Sequence, residues 1–134
     1  MNKNFIIEQC RRLEVIHQEE SDKLKEEELN NKWIFIHNDG HKKMMDYFLS
    51  FLKSTDNIDK RVAKKWLKKA QKKSDDIIKN LDEKYNHFSN DEVMNQEDER
   101  IYHINDGAIC IAYTLTNIIN KKRYISKTNE SERI

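Results

Sequence analysis

Proline is absent from this chain, and glycine occurs only at Gly40 and Gly107. Turn-rich β architectures need both residues at frequent turns, for fixed φ and for φ > 0, so an all-α fold is the reading left. Phosphate loops and dinucleotide fingerprints require clustered glycines and are excluded on the same ground. No apolar run approaches the roughly 18 residues of a membrane span. The opening segment, Met1 to Glu14, meets charge too early for a secretory signal. With only Cys10 and Cys110 and no export signal, reduced thiols and a cytoplasmic location are expected. Charged residues make up 37% of the chain, yet the net charge is only +1, so self-repulsion does not oppose a compact state.

What the sequence has in quantity is helical periodicity. Ile6, Cys10, Leu13 and Ile16 or His17 share a face by steps of three and four. An acidic stretch from Glu19 to Glu28 leads to Trp33, Ile34, Phe35 and Ile36. Asn38-Asp39-Gly40 then reads as a helix stop, because Gly or Asn just past an apolar run commonly ends one. Met44, Met45, Phe48, Leu49 and Leu52 mark another helix, and Ser54 to Asn57 a connector with capping residues. Ile58, Val62, Trp66 and Ala70 recur at every fourth position, and Ile77, Ile78, Leu81, Tyr85 and Phe88 extend the pattern. Whether 58–88 is one helix or two, with a second start at Ser74, is left open by the pattern. Asn86 to Asp98 reads as a polar loop in which Ser89 and Glu92 have capping-box spacing. Ile101, Ile104, Ala108, Ile111 or Ala112, Leu115 and Ile118 or Ile119 predict a helix with apolar flanks, hence a central one. The expectation is a single all-α domain over residues 1–120, a bundle of five or six helices, followed by a polar, mobile tail over 121–134.

The small net charge conceals segregation. Residues 56–73 carry Lys60, Arg61, Lys64, Lys65, Lys68, Lys69, Lys72 and Lys73 against two acids, net +6. Residues 74–106 carry net −7. The basic cluster either tracks a phosphate backbone or fills a solvated helix face, and the solvated face is favoured because nothing aromatic is interleaved with it. Asp91, Glu92, Glu97, Asp98 and Glu99, with neighbours Tyr102 and His103, form an acidic segment ahead of the central helix. Loops on a rigid scaffold often carry recognition, and acids there suit a basic partner.

Candidate chemistry is sparse. His37 and His41 are four apart, a ligand spacing on a continuous helix, but the stop expected at Gly40 separates them and no third ligand is evident nearby. No metal or other cofactor is expected. Glu14 and His17 form one Glu-x-x-His pair, where di-iron bundles need two. Arg12 and His17 have the Arg-x4-His spacing of HEPN ribonucleases and resemble that motif, although Leu13 replaces the usual polar residue and the pair lies on the first helix.

Trp66-Leu67 in a charged helix, an acidic linker, and Ile101-Tyr102-His103-Ile104-Asn105-Asp106-Gly107-Ala108 opening an apolar helix follow one another in order. Over residues 44–119 this pattern resembles all-α immunity proteins of polymorphic-toxin and contact-dependent growth-inhibition systems; residues 1–43 have no counterpart in it. The resemblance implies a non-catalytic protein that neutralises one cognate toxin in the cytoplasm. The toxin would be a basic nuclease domain met by the acidic segment, with the Lys60–Lys73 face as second choice. The alternatives are a nucleic-acid-binding or regulatory module using the basic helix, and a HEPN-like ribonuclease using Arg12 and His17.

Overall fold

The structure, a computed structural model, describes residues 1–26, 32–85, 94–121 and 123–125. Four helices account for most of them: α1 (Lys3–Glu26), α2 (Lys32–Ser54), α3 (Lys60–Lys84) and α4 (Gln96–Ile119). The chain is all-α, with no strand among the described residues. The expected count of five or six is not met: the expected stop at Gly40 is absent, and the alternative left open over 58–88 resolves as one helix up to Lys84. Helix α2 runs straight through Asn38-Asp39-Gly40, and α3 runs straight through Ser74.

Continuity at each point has a local cause. Gly40 keeps a helical backbone with no positive φ, and its missing side chain makes room for another helix. Ser74 is buried at 6% exposure on the α3 face that packs inward, and Asp76 pairs with Lys72 one turn back. The capping prediction for 54–57 is displaced: Asp59 is the N-cap of α3 and accepts from the Val62 N–H at 2.8 Å. Asn57 occupies the left-handed region at φ 55°, which Asn tolerates better than most residues.

Helix directions follow from the paired residues. Ser21 meets Asn38, His17 meets His41, and the Lys3 ammonium donates to the Thr55 carbonyl, so α1 and α2 are antiparallel. Lys84 and Tyr85 reach Asp98, while Lys60 shares a cavity wall with Ile118 and Ile119, so α3 and α4 are also antiparallel. Phe48 and Phe51 of α2 pack on Trp66 of α3 across a five-residue connection. The bundle is therefore up-down-up-down, and α2 and α4 are parallel.

In such a bundle the parallel helices normally sit diagonally apart. Here α2 and α4 form the central contact, with α1 and α3 on the flanks. Gly40 and Gly107 make this possible. A Cβ on Gly40 would lie 2.1 Å from the Ile104 carbonyl oxygen, and one on Gly107 would lie 2.0 Å from that of His37. The backbones touch there.

One core joins all four helices, with Cys10, Phe48, Leu52, Ala63, Leu67, Ala112, Leu115 and Ile118 fully enclosed. The stripe expected on α3 is shifted by one residue. Ala63 and Leu67 are buried while Val62 is 42% exposed, and Trp66 lies half-buried on the flank against Phe51. Strict four-residue steps drift around a helix of 3.6 residues per turn, whereas 63, 67, 70, 74 and 81 hold one direction.

The C-terminal segment is anchored where it is described. Ile125 is buried on α1, its N–H donating to Gln9 Oε1 at 2.6 Å and its carbonyl accepting from Gln9 Nε2 and Arg12 Nη1. A polar tail that is mobile from 121 onward is thus not what 123–125 show. No helix among the described residues is long and apolar enough to cross a membrane.

Candidate functional site

Of the expected acidic contact surface, Asp98 is bound into the fold. Asp91 and Glu92, with Ser89, lie outside the described residues. Asn95 caps α4 by accepting from the Asp98 N–H at 2.8 Å. Asp98, only 9% exposed, accepts in turn from Lys84 Nζ at 2.8 Å, from the Tyr85 hydroxyl at 2.5 Å and from Asn95 Nδ2 at 3.1 Å. This ties the end of α3 to the start of α4. Glu97 is exposed and Glu99 half-buried. Tyr102 and His103 are half-buried too, His103 stacked on Trp33 with ring centroids 5.0 Å apart.

The hydrogen bond from Lys84, followed by that from Tyr85, holds the Asp98 carboxyl below its ordinary value of 3.8. The folded state therefore favours the carboxylate. Its contribution to stability is present above the unfolded value and is lost as pH falls through the lower folded one. We expect Asp98→Asn to flatten the acid side of the melting-temperature profile, measured from neutral pH down to about 3. Profiles that run parallel would show that this carboxylate does not link the two helices.

The basic cluster has a different character. All eight of its cations are exposed, and among the described residues only Lys72 has an acidic partner, Asp76 at 3.1 Å. Arg61, Lys65, Lys68 and Lys72 follow at steps of four, three and four. They therefore form one line on the side of α3 opposite buried Ala63, Leu67 and Ser74. The line spans about 17 Å at 1.5 Å per residue.

A third constellation was concealed in the sequence. Because α2 is continuous through Gly40, His37 and His41 do share a face, and the separation expected between them is absent. The contact at Gly40 and Gly107 sets that face against α4 at Asp106 and Cys110. One nitrogen of His37, one of His41 and the Cys110 sulfur lie within 4.8 Å of one another. His37 Nδ1 is 3.3 Å from Asp106 Oδ2, and the His41 ring sits between those of His37 and His17, each 4.6 Å away.

Both ring nitrogens of His41 are enclosed, with no hydrogen-bond partner among the described residues. A buried polar atom left unpaired costs about 1–3 kcal/mol, so a fold retains few of them without another use. Burial, followed by the neighbouring imidazoles His17 and His37, pushes His41 down to about 4, leaving it neutral near pH 7. Cys110 is at the surface, and partial burial followed by the charge of Asp106 raises its thiol above the ordinary value. Cys10 is instead sealed in the core, where burial pushes it up to about 12. Two imidazoles and a thiol are donors that suit a borderline-soft divalent ion.

Arg12 and His17 are sent to different neighbours. Arg12 donates to the Ile125 carbonyl at 2.7 Å and to the Tyr124 hydroxyl at 2.9 Å, while His17 packs on His41. Glu14 and His17 line a groove of about 580 Å³ between α1 and α2, together with Arg11, Asn38 and Lys42. Neither Asp106 nor Cys110 was legible as a partner of the histidines. The available signal was a pair of glycines inside helical patterns, each beside two donors spaced four apart.

No family model, curated protein or solved structure matches this chain.

Proposed function

We propose that this chain is a non-catalytic binding protein of the immunity type, neutralising a cognate toxin by direct contact through the exposed face of α3. The observation that carries the reading is the line Arg61-Lys65-Lys68-Lys72, held rigid by the buried side of the same helix. A row of exposed cations of which, among the described residues, only Lys72 is paired with an acid raises association rates and selects against basic partners. The partner surface would be acidic. The acidic segment ahead of α4 is the weaker choice because Asp98 already serves the fold.

The same line supports a second reading, a nucleic-acid-binding module, since cations at helical spacing can follow phosphates. Arginine, the residue of bidentate phosphate and base contacts, appears only at Arg61 in the cluster, and no aromatic interrupts the line to stack on bases.

The test is co-purification of the tagged full chain with the product of the adjacent reading frame, repeated with Arg61, Lys65 and Lys68 changed together to Glu. All three are exposed and outside any ion pair among the described residues, so helical circular dichroism should be unchanged. Stoichiometric capture and protection against toxicity, both lost in the triple variant, are the expected results. Capture that survives charge reversal would remove α3 as the contact. Recovery of nucleic acid alone, with affinity falling steeply as salt rises, would establish the second reading.

A further inference from the structure

We infer that His37, His41 and Cys110 form a binding site for a divalent late first-row metal ion of the zinc type, assembled where α2 and α4 touch. Four observations converge on it. The three donor atoms lie within 4.8 Å of one another, on two helices whose spacing is locked by backbone contact at Gly40 and Gly107. The ligand atoms of a tetrahedral zinc site lie roughly 3.5 Å apart, so shifts of about 1 Å in the side chains would complete the arrangement. Both His41 nitrogens are enclosed without partners among the described residues, and an ion would satisfy one of them. Cys110 lies at the surface and gives the ion a route in.

Asp106 supplies the supporting contact. Its carboxylate is 3.3 Å from His37 Nδ1, so an N–H there donates to it and Nε2 is left as the ligand atom. This carboxylate–histidine pairing orients metal-bound imidazoles in general. The donor set also selects the ion. Calcium and magnesium take oxygen ligands and have too few here, whereas imidazole with thiolate suits zinc and its cobalt substitute. Binding replaces the thiol proton of Cys110, which passes to solvent, so one proton leaves per ion bound. Three protein ligands leave a fourth position for water or for a partner's donor.

The experiment titrates Co2+ into the full-length chain after chelator treatment and reads the visible and near-ultraviolet spectrum. The expected result is one ion per chain, tetrahedral d–d bands, and a thiolate charge-transfer band that disappears in Cys110→Ser. Zn2+ should displace the cobalt. His41→Gln should weaken binding by more than the roughly 10–100-fold typical of losing an outer partner, and Asp106→Asn by an amount within that range. Cys110→Ser changes a surface residue, so its helical content should match the parent and a lost band reports on ligation. A weak octahedral spectrum, no binding, or binding indifferent to both Cys110→Ser and His41→Gln would overturn the assignment.

Discussion

Gly107→Ala should cost the fold about 3 kcal/mol or more, a penalty at or above the upper end for overpacked sites. At an exposed helix position the same exchange would stabilise by up to about 1 kcal/mol, because Ala is the better helix former. The sign reverses because the new methyl would stand 2.0 Å from the His37 carbonyl oxygen. Its neighbours are backbone atoms of α2, which cannot rotate aside as a side-chain tip would. Gly40→Ala meets the Ile104 carbonyl at 2.1 Å and should cost a similar amount. Both methyls would wedge the same helix pair apart, so the double variant should lose less than the sum of the two. Urea denaturation of the three variants measures this. Stabilisation by either single change would mean that α2 and α4 do not touch at that position.

Gln9→Met is expected to remove about 2–3 kcal/mol, with little change of volume. Gln9 is 1% exposed and faces Ile125 as a neighbouring strand would, accepting from its N–H at 2.6 Å and donating to its carbonyl at 3.3 Å. Methionine keeps the shape and removes both bonds. Arg12 still donates to the carbonyl, so the Ile125 N–H is the group left buried and unpaired. The Ile125 amide should lose its protection from hydrogen exchange in this variant, a local readout beside the global one. Unchanged stability together with unchanged protection would show that the 123–125 segment is not held by α1.

The helix class and most of the core were legible from the sequence. The α4 pattern of Ile101, Ile104, Ala108, Ile111, Leu115 and Ile118 describes a central helix, and α4 does contact every other helix or its flank. Ile6, Cys10 and Leu13 are all buried as their spacing predicts. The misplaced elements share one cause. Glycine disfavours a helix locally, which makes Gly40 look like a stop, and Ser and Asp cap helices, which leaves a second start at Ser74 open. Both effects are worth about 1 kcal/mol, and burial of a whole helix face outweighs them. The candidate sites diverged for a related reason. Linear charge density singles out 91–99 and 60–73 alike. Only the packing shows that Asp98 serves the joint between α3 and α4 while the α3 line faces outward.

By itself the sequence determined an all-α chain, the identity of its central helix and the segregation of its charge, because these follow from composition and from periods of three and four residues. The tertiary structure alone decided which helices touch. Gly40 and Gly107 are 67 positions apart, and no local period relates them. Their missing side chains let two parallel helices approach to backbone distance, Gly40 against Ile104 and Gly107 against His37, and that approach gathers His37, His41 and Cys110. A cluster drawn from two helices is a property of their packing, so it became visible only once the distance between α2 and α4 was known.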